Sequence, residues 1–275
     1  MQMKTALNAR RSTRLLFAGV CLLSLCAAGQ TAIALAAARA RTEQARTETQ
    51  FFVRLLENRY HSAAAWKAIF LERYSEGPRD IRLESGTAYF RRPDRMRWEY
   101  ESPEKKLFVA DGKTVWFYVP ADKTVTRAPM KESADWRTPL ALLTGKVKLE
   151  RLCGPIEMVA VPAQGARTEG ALEEKNLVTL RCLPRQESSP GHHGPSNSSE
   201  AMETAAPFDE ILLRVNRQSG DLADVIIRQP GGVEMEYRFG HWQSNVALPD
   251  SMFQFQAPPG VAIVEETPSG APVRE

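Results

Sequence analysis

The stretch Val233-Glu234-Met235-Glu236-Tyr237-Arg238-Phe239 alternates between apolar and charged residues over seven positions without an exception. Successive side chains of a β-strand point to opposite faces of a sheet, so this pattern predicts a strand with one dry face and one wet face. Turn signals at Ser219-Gly220 and Pro230-Gly231-Gly232 flank the preceding apolar segment. This end of the chain therefore predicts an antiparallel β-meander.

The same alternation recurs upstream. Met96, Trp98 and Tyr100 are separated by charged residues, and Asp111-Gly112 is a strong hairpin signal. We count about ten such short strands. A sheet of this length that is dry on one face must curl or be covered. The sequence therefore predicts a mainly β (α+β) fold, an open, curled antiparallel sheet or unclosed half-barrel, with helices as a lid over an apolar cavity.

Two segments have the period of a helix. Aromatic and leucine residues recur at helical spacing between Glu43 and Tyr60. Thr138 and Pro139 are typical of a helix start, and Gly145 ends the apolar run that follows them. We also predict strands over residues 147–161 and at Phe253 and Phe255.

The N-terminus has the layout of a secretory signal peptide. Basic residues precede the apolar run 15–25, and small residues with Ala-x-Ala spacing follow it. A transmembrane anchor is the alternative, but a span needs about 20 apolar residues. Leu25 before Cys26 does not fit a lipidation site. We therefore predict a cleaved signal peptide at 1–40.

The rest of the chain is predicted to form a single domain. The whole chain has 275 residues, of which 43% are hydrophobic and 25% are charged, which is ordinary globular composition. We place the domain at 41–265, with a flexible insertion at 187–207, where Ser, Pro, Gly, His and Asn accumulate, and a disordered tail at 266–275. Cys153 and Cys182 remain after cleavage and lie in neighbouring predicted strands, so either a disulfide or two buried thiols is compatible with the sequence.

Motifs for catalysis are missing from the sequence. It contains no Gly-x-Ser-x-Gly, His-Glu-x-x-His, Cys-x-x-Cys, phosphate loop or dinucleotide fingerprint. His192 and His193 lie in the Gly/Pro/Ser-rich loop without a nearby acidic or cysteine partner. With a net charge of +3 and no basic stripe, a nucleic-acid partner is not expected. We therefore predict a protein that is not an enzyme and has no metal site or cofactor.

Aromatic residues are concentrated on the predicted strand faces. Each taken singly fits an ordinary core, but as a set on a curled sheet they can line a cavity for an apolar ligand. The predicted lipid-binding residues are Met96, Trp98, Tyr100, Phe108, Trp116, Tyr118, Leu140 and Leu143.

Several motifs resemble the LolA family of periplasmic lipoprotein carriers. They are Arg91-Arg92-Pro93-Asp94-Arg95-Met96-Arg97-Trp98-Glu99-Tyr100, Val109 to Tyr118 followed by Pro120, Thr138 to Leu143, and Pro258-Pro259-Gly260-Val261. The resemblance spans about residues 51–265. Met96 departs from the family pattern, which often has a bulky aromatic residue at that position.

The resemblance implies a function and its partners. It implies a periplasmic, monomeric chaperone that holds the acyl chains of lipoproteins and shuttles them from an inner-membrane ABC-type release complex to an outer-membrane acceptor. It also implies that Arg92 is a latch that hydrogen-bonds the lid in the closed state. The alternative is a LolB-like acceptor, or a regulator of the same fold that senses lipids or lipoproteins.

Overall fold

The computed structural model describes residues 35–77, 80–130, 143–144, 148–160, 175–185 and 208–265. The chain divides into two compact units, Met1–Glu48 and Thr49–Glu275. The described part of the first unit is helical, and it begins a helix, α1, that runs over 35–61. No helix among the described residues combines the length and apolar character that a membrane span requires.

The second unit contains one sheet of twelve strands. The strands are β1 Ala65–Glu76, β2 Asp80–Arg91, β3 Arg95–Ser102, β4 Lys106–Asp111, β5 Thr114–Val119, β6 Thr124–Pro129, β7 Cys153–Val159, β8 Leu177–Pro184, β9 Glu210–Asn216, β10 Leu222–Gln229, β11 Val233–Ser244 and β12 Ala262–Glu265. Their order is β12-β6-β5-β4-β3-β2-β1-β11-β10-β9-β8-β7.

The antiparallel pairing of neighbouring strands explains why short turns between strands could be recognised in the sequence. All neighbours pair antiparallel except β12, which lies parallel to β6. The central contact joins β1 to β11, with Phe70 opposite Phe239 and Glu72 opposite Tyr237. Among the described strands, the edges β7 and β12 do not pair with each other. The predicted mainly β fold with an open, curled sheet is confirmed.

Two of the predicted elements differ from the structure where it forms a helix. Helix α1 already includes residue 35, upstream of the predicted start at Glu43; alanine, which is abundant in this stretch, has the highest helix propensity of all residue types. The strand predicted over 147–161 is instead the short helix α2, Leu149–Leu152, followed by β7. A tertiary contact favours that turn, since Glu57 accepts the Leu149 N–H at 2.9 Å.

The strand predicted at Phe253 and Phe255 is also wrong. Asp250–Phe253 forms a 3₁₀ helix, and the last strand is β12, further along the chain. All four β12 residues are exposed, so this strand has no apolar alternation by which it could be recognised. The signal peptide predicted at 1–40 lies outside the described residues over 1–34, and the insertion predicted at 187–207 and the tail predicted at 266–275 lie outside them entirely.

Candidate functional site

One face of the sheet carries nearly all of the buried core, and we call it the inner face. Phe90, Trp98, Phe108 and Tyr237 on this face have no exposed surface. Their rings meet edge to face, as in the Trp98 contacts with Phe90 at 5.5 Å and Phe70 at 4.9 Å between centroids. The inner face is therefore an apolar surface from β9 to β5, aliphatic on β9 and β10 and rich in aromatic rings on β11 and β1 to β5.

Five of the predicted lipid-binding residues lie in this inner-face cluster. Met96, Trp98 and Tyr100 of β3 and Phe108 of β4 are at most 2% exposed, and Leu143 is fully buried in the same cluster. Trp98 is paired with Phe108 in the sheet register, so both point to the same side. Leu140 lies outside the described residues.

Trp116 and Tyr118 lie on the opposite face, which we call the outer face. Because Phe108 pairs with Phe117, the inner residues of β5 are Val115 and Phe117. Trp116 and Tyr118 instead contact Phe255 at 5.5 and 5.6 Å between ring centroids. The prediction that they line the cavity side is wrong, because β5 is apolar on both faces and only its register with β4 decides between them.

A polar pair interrupts the inner face at one end. Glu72 is 5% exposed, and its Oε2 accepts a hydrogen bond from Tyr100 Oη at 2.7 Å. Glu84, opposite Glu72 in the register, pairs with Lys106. The alternation of Phe70, Glu72 and Tyr74 could have revealed this buried carboxyl, but the sequence prediction missed it.

A helix covers the apolar part of the inner face. Residues 49–61 of α1, which we call the cover helix, contribute buried side chains to the inner-face cluster. These are Phe52, Val53, Leu56 and Tyr60. Tyr60 contacts Trp66 of β1 and Trp242 of β11 at 5.4 and 5.2 Å between ring centroids. The cover helix thus shields rings that would otherwise meet water.

Polar contacts attach the cover helix to the turn between β9 and β10. Arg59 Nε lies 2.6 Å from Asp221 Oδ1, and the Leu222 N–H donates to Tyr60 Oη at 3.0 Å. Burial raises the pKa of Tyr60 well above its ordinary value, so the phenol stays protonated. Gly220 has φ +74°, and a Cβ there would lie 2.9 Å from the Leu55 carbonyl oxygen. Glycine at this position therefore permits close approach of helix and turn.

The predicted latch residue, Arg92, lies beside the end of the cover helix. Its backbone N–H donates to the Ala64 carbonyl oxygen at 3.0 Å, and its side chain is exposed. No contact in the described part of the chain tests whether the Arg92 side chain bonds a lid, so the latch stays a prediction. The structure pairs Cys153 of β7 with Cys182 of β8 in a disulfide.

Arginines on the outer face hold the segment that follows β11. Arg91 and Arg95 both pair with the Asp250 carboxylate, and Arg97 Nη1 donates to the Met252 carbonyl oxygen at 2.9 Å. Phe253, at the end of this segment, is 1% exposed. We call residues 248–255 the strap. Sequence reasoning missed these contacts because the partners are separated by about 155 residues.

A pocket of about 380 Å³ lies at the β7–β9 end of the sheet. Met158, Leu177 and Val178 supply its apolar wall, and Arg214 and Arg217 line it as well. Arg217 also lies over the Phe52 ring of the cover helix at 5.2 Å. This pocket is separate from the centre of the inner face, where the described side chains fill the space against one another.

The tryptophans of the inner face differ in their hydrogen bonds. Trp242 Nε1 donates to the Leu222 carbonyl oxygen at 2.9 Å. Trp66 Nε1 and Trp98 Nε1 are buried and have no hydrogen-bond partner in the described structure.

Groups of three or more His, Cys, Asp or Glu side chains suited to a metal ion are absent from the described residues.

Comparison with known proteins decides the family. Residues 63–168 match the family model described as outer membrane lipoprotein carrier protein LolA. An outer-membrane lipoprotein carrier protein from Nitrosomonas europaea is 30% identical over 188 residues, which cover 68% of this chain and 75% of the relative. The chain belongs to the LolA family. A second LolA-family relative, the outer-membrane lipoprotein carrier protein from Nitrosospira multiformis, is 25% identical over 68% of this chain and 74% of its own length.

Two solved structures are among those to which this chain is similar. A LolA superfamily protein from Nitrosomonas europaea has a TM-score of 0.38 at 7% identity, covering 75% of this chain and 97% of its own. The Mycobacterium tuberculosis lipoprotein LppX has a TM-score of 0.38 at 9% identity, with coverages of 74% and 99%.

Proposed function

We propose that this protein carries lipoproteins by holding their acyl chains against the inner face beneath the cover helix. The observation that carries the proposal is the continuous water-free aromatic face covered by an amphipathic helix. The names of its relatives, outer-membrane lipoprotein carrier proteins, agree with this role. In the described structure the side chains of the inner face pack against one another beneath the cover helix.

The energetics suit a carrier that must also release its cargo. Burying one methylene is worth about 0.8 kcal/mol, so a chain of roughly fifteen methylenes gains about 12 kcal/mol before ordering costs. In the described structure the cover helix shields the inner face. Cargo binding must therefore displace contacts of Phe52, Leu56 and Tyr60, which lowers the net affinity and permits transfer.

The polar contacts of the cover helix indicate how it opens. Its described side-chain polar bonds to the sheet are made near one turn, through Arg59 to Asp221 and Tyr60 to Leu222. Opening would break the Arg59 ion pair, which is partly exposed and hence weak, the Tyr60 hydrogen bond, and the bond from the Leu149 N–H to Glu57. The larger cost is exposure of apolar side chains, which acyl chains offset when they take their place.

The wider pathway is also part of the proposal. The protein works in the periplasm after signal-peptide cleavage, as a monomer without catalytic activity. It accepts lipoproteins from an inner-membrane ABC-type complex and passes them to an outer-membrane acceptor. Arg92 favours the closed state, so we expect Arg92→Leu to retain cargo and to lower its transfer to acceptor membranes.

A release assay tests the carrier function. Purified mature protein is added to spheroplasts that display a triacylated lipoprotein, and the supernatant is analysed by native mass spectrometry. We expect a one-to-one complex of carrier and lipoprotein. The matched control is the same lipoprotein with its N-terminal cysteine replaced by serine, which carries no acyl chains and should form no complex.

Two results would count against a carrier. Equal binding of the acylated and non-acylated forms would mean that the acyl chains are not recognised. A mature N-terminus that begins with a lipidated cysteine would instead indicate a membrane-anchored acceptor.

A further inference from the structure

Two buried indole groups on the inner face lack hydrogen bonds. Trp66 is 1% exposed and Trp98 is fully buried, and the Nε1 donor of each has no partner among the described residues. A buried donor without an acceptor costs about 1–3 kcal/mol, so such groups are rare in folded proteins and require an explanation.

The surroundings of the two donors are aromatic. Phe70, Phe90 and Tyr237 surround Trp98, with ring centroids between 4.9 and 5.5 Å away. The face of an aromatic ring accepts a hydrogen bond much more weakly than a carbonyl oxygen does. The neighbouring rings therefore do not replace a true acceptor.

The sheet register places the two donors near each other. Trp66 of β1 lies opposite Phe90 of β2, and Trp98 of β3 lies opposite Ala88 of the same strand. Only β2 separates them, and both point to the inner face. Trp66 lies directly under Tyr60 of the cover helix, so opening of this helix would uncover it.

We propose that the Trp66 and Trp98 N–H groups donate hydrogen bonds to the ester carbonyl oxygens of bound acyl chains. This inference rests on the proposed function and adds a chemical selectivity to it. Hydrocarbon tails bring no acceptor into the site, whereas each acyl ester brings a carbonyl oxygen beside its first methylene groups. The two donors therefore select acyl-ester lipids over chains of equal length without a carbonyl.

The test compares two lipids of matched chain length. Dipalmitoylglycerol carries two ester carbonyls, and dihexadecylglycerol carries ether links instead. Each lipid displaces a fluorescent fatty acid from the full mature protein, which gives two dissociation constants. One well-placed hydrogen bond corresponds to about a five- to tenfold preference, so we expect at least that ratio in favour of the ester.

The variants assign the preference to the indoles. Trp98→Phe and Trp66→Phe should each reduce the ester-to-ether ratio, and the double variant should bring it close to one. Trp116→Phe is the matched control, because this indole lies on the outer face, and it should keep the wild-type ratio. Circular dichroism checks that each variant folds.

The outcomes separate the inference from the proposed function. A wild-type protein that binds ester and ether lipids equally overturns the inference and leaves the carrier function standing. A wild-type protein that binds neither lipid counts against both. Should the double variant not fold, the wild-type ratio and the single variants still decide, and an unchanged ratio in both single variants overturns the inference.

Discussion

Tyr60 links the cover helix to the sheet by two different interactions. Its ring packs between Trp66 and Trp242, and its Oη accepts the Leu222 N–H. The residue is 1% exposed. A single side chain therefore combines apolar cover with the hydrogen bond that keeps the cover in place.

Replacing Tyr60 with phenylalanine keeps the ring and removes the acceptor. We expect Tyr60→Phe to lose about 1–3 kcal/mol of unfolding free energy, because the buried Leu222 N–H is left without its partner. Urea unfolding measures the loss, and amide exchange should become faster in residues 49–61. Tyr74→Phe is the control, since its hydroxyl bonds the exposed Glu76, and it should change neither quantity appreciably.

The raised pKa of Tyr60 predicts a specific alkaline behaviour. Burial raises the folded-state pKa above the unfolded value of about 10, so the unfolded chain releases its proton first as the pH rises. The contribution of the protonated Tyr60 phenol to the free energy of unfolding is complete below pH of about 10, and it is lost as the pH rises through the folded-state pKa. Between pH 8 and pH 11 the free energy of unfolding should therefore fall more for wild type than for Tyr60→Phe. Equal losses in the two proteins would refute this cause.

Single residues show where sequence reasoning succeeds and where it stops. Met96, Trp98 and Tyr100 could be assigned to one buried face, because charged residues separate them. Trp116 and Phe117 could not be assigned, because β5 is apolar on both faces and its register with β4 is a long-range property. The missing acceptors of the Trp66 and Trp98 indoles are likewise visible only in three dimensions.

Among the elements, the strap is held by side chains rather than by strand pairing. The Asp250 carboxylate pairs with both Arg91 and Arg95, and Arg97 donates a hydrogen bond to the Met252 carbonyl oxygen. The Phe253 side chain is buried. The strap then leads into β12, which extends the sheet beside β6. It therefore covers part of the outer face of strands β2 to β5.

Loss of the Asp250 carboxylate should loosen the strap. We expect Asp250→Asn to increase amide exchange in residues 248–255, because two arginines lose their common anion. Lipid binding on the inner face should be unchanged, since the strap lies on the opposite side of the sheet. Asp122→Asn, in the exposed turn between β5 and β6, is the control, and equal exchange in both variants would exclude the ion pairs as the cause.

Strands in which apolar and polar residues alternate regularly were predictable, and elements that depend on contacts distant in sequence were not. The strand from Val233 to Phe239 was evident from its pattern and forms the first part of β11. Helix α2 was not evident, because its first turn depends on the Glu57 carboxylate 92 positions earlier in the chain. The strap and β12 likewise depend on partners far away in sequence.

For the whole molecule, the disulfide reinforces an open edge of the sheet. Cys153 of β7 and Cys182 of β8 are 29 positions apart, and β7 is the last strand on its side. Closing a loop of this length is worth about 3–4 kcal/mol in the loop-entropy model. An oxidising compartment, as proposed for this protein, would allow the bond to form and persist.

Removing the disulfide should destabilise the domain without abolishing its architecture. We expect Cys153→Ser/Cys182→Ser to lower the unfolding free energy by about 3–4 kcal/mol, as measured in urea. The matched control is wild-type protein in reductant, which should lose a similar amount. An unchanged midpoint in both samples would mean that the bridge does not stabilise the domain.

The carrier function requires the cover helix to leave the inner face before cargo enters. A Cβ at Gly220 would lie 3.2 Å from the Arg59 Cβ, close to the 3.5–4.5 Å that disulfides usually span. Cysteines at these two positions therefore offer a reducible lock between the cover helix and the turn. Cysteine at Gly220 strains the backbone, so each single variant is needed as a control for folding and binding.

The most direct measurement is uptake of a triacylated lipopeptide by Arg59→Cys/Gly220→Cys before and after mild reduction, with wild type treated identically. We predict no uptake by the oxidised variant, recovery after reduction, and full uptake by wild type in both conditions. Equal uptake by the oxidised and reduced variant, with the lock verified by mass, would contradict entry of acyl chains beneath the cover helix.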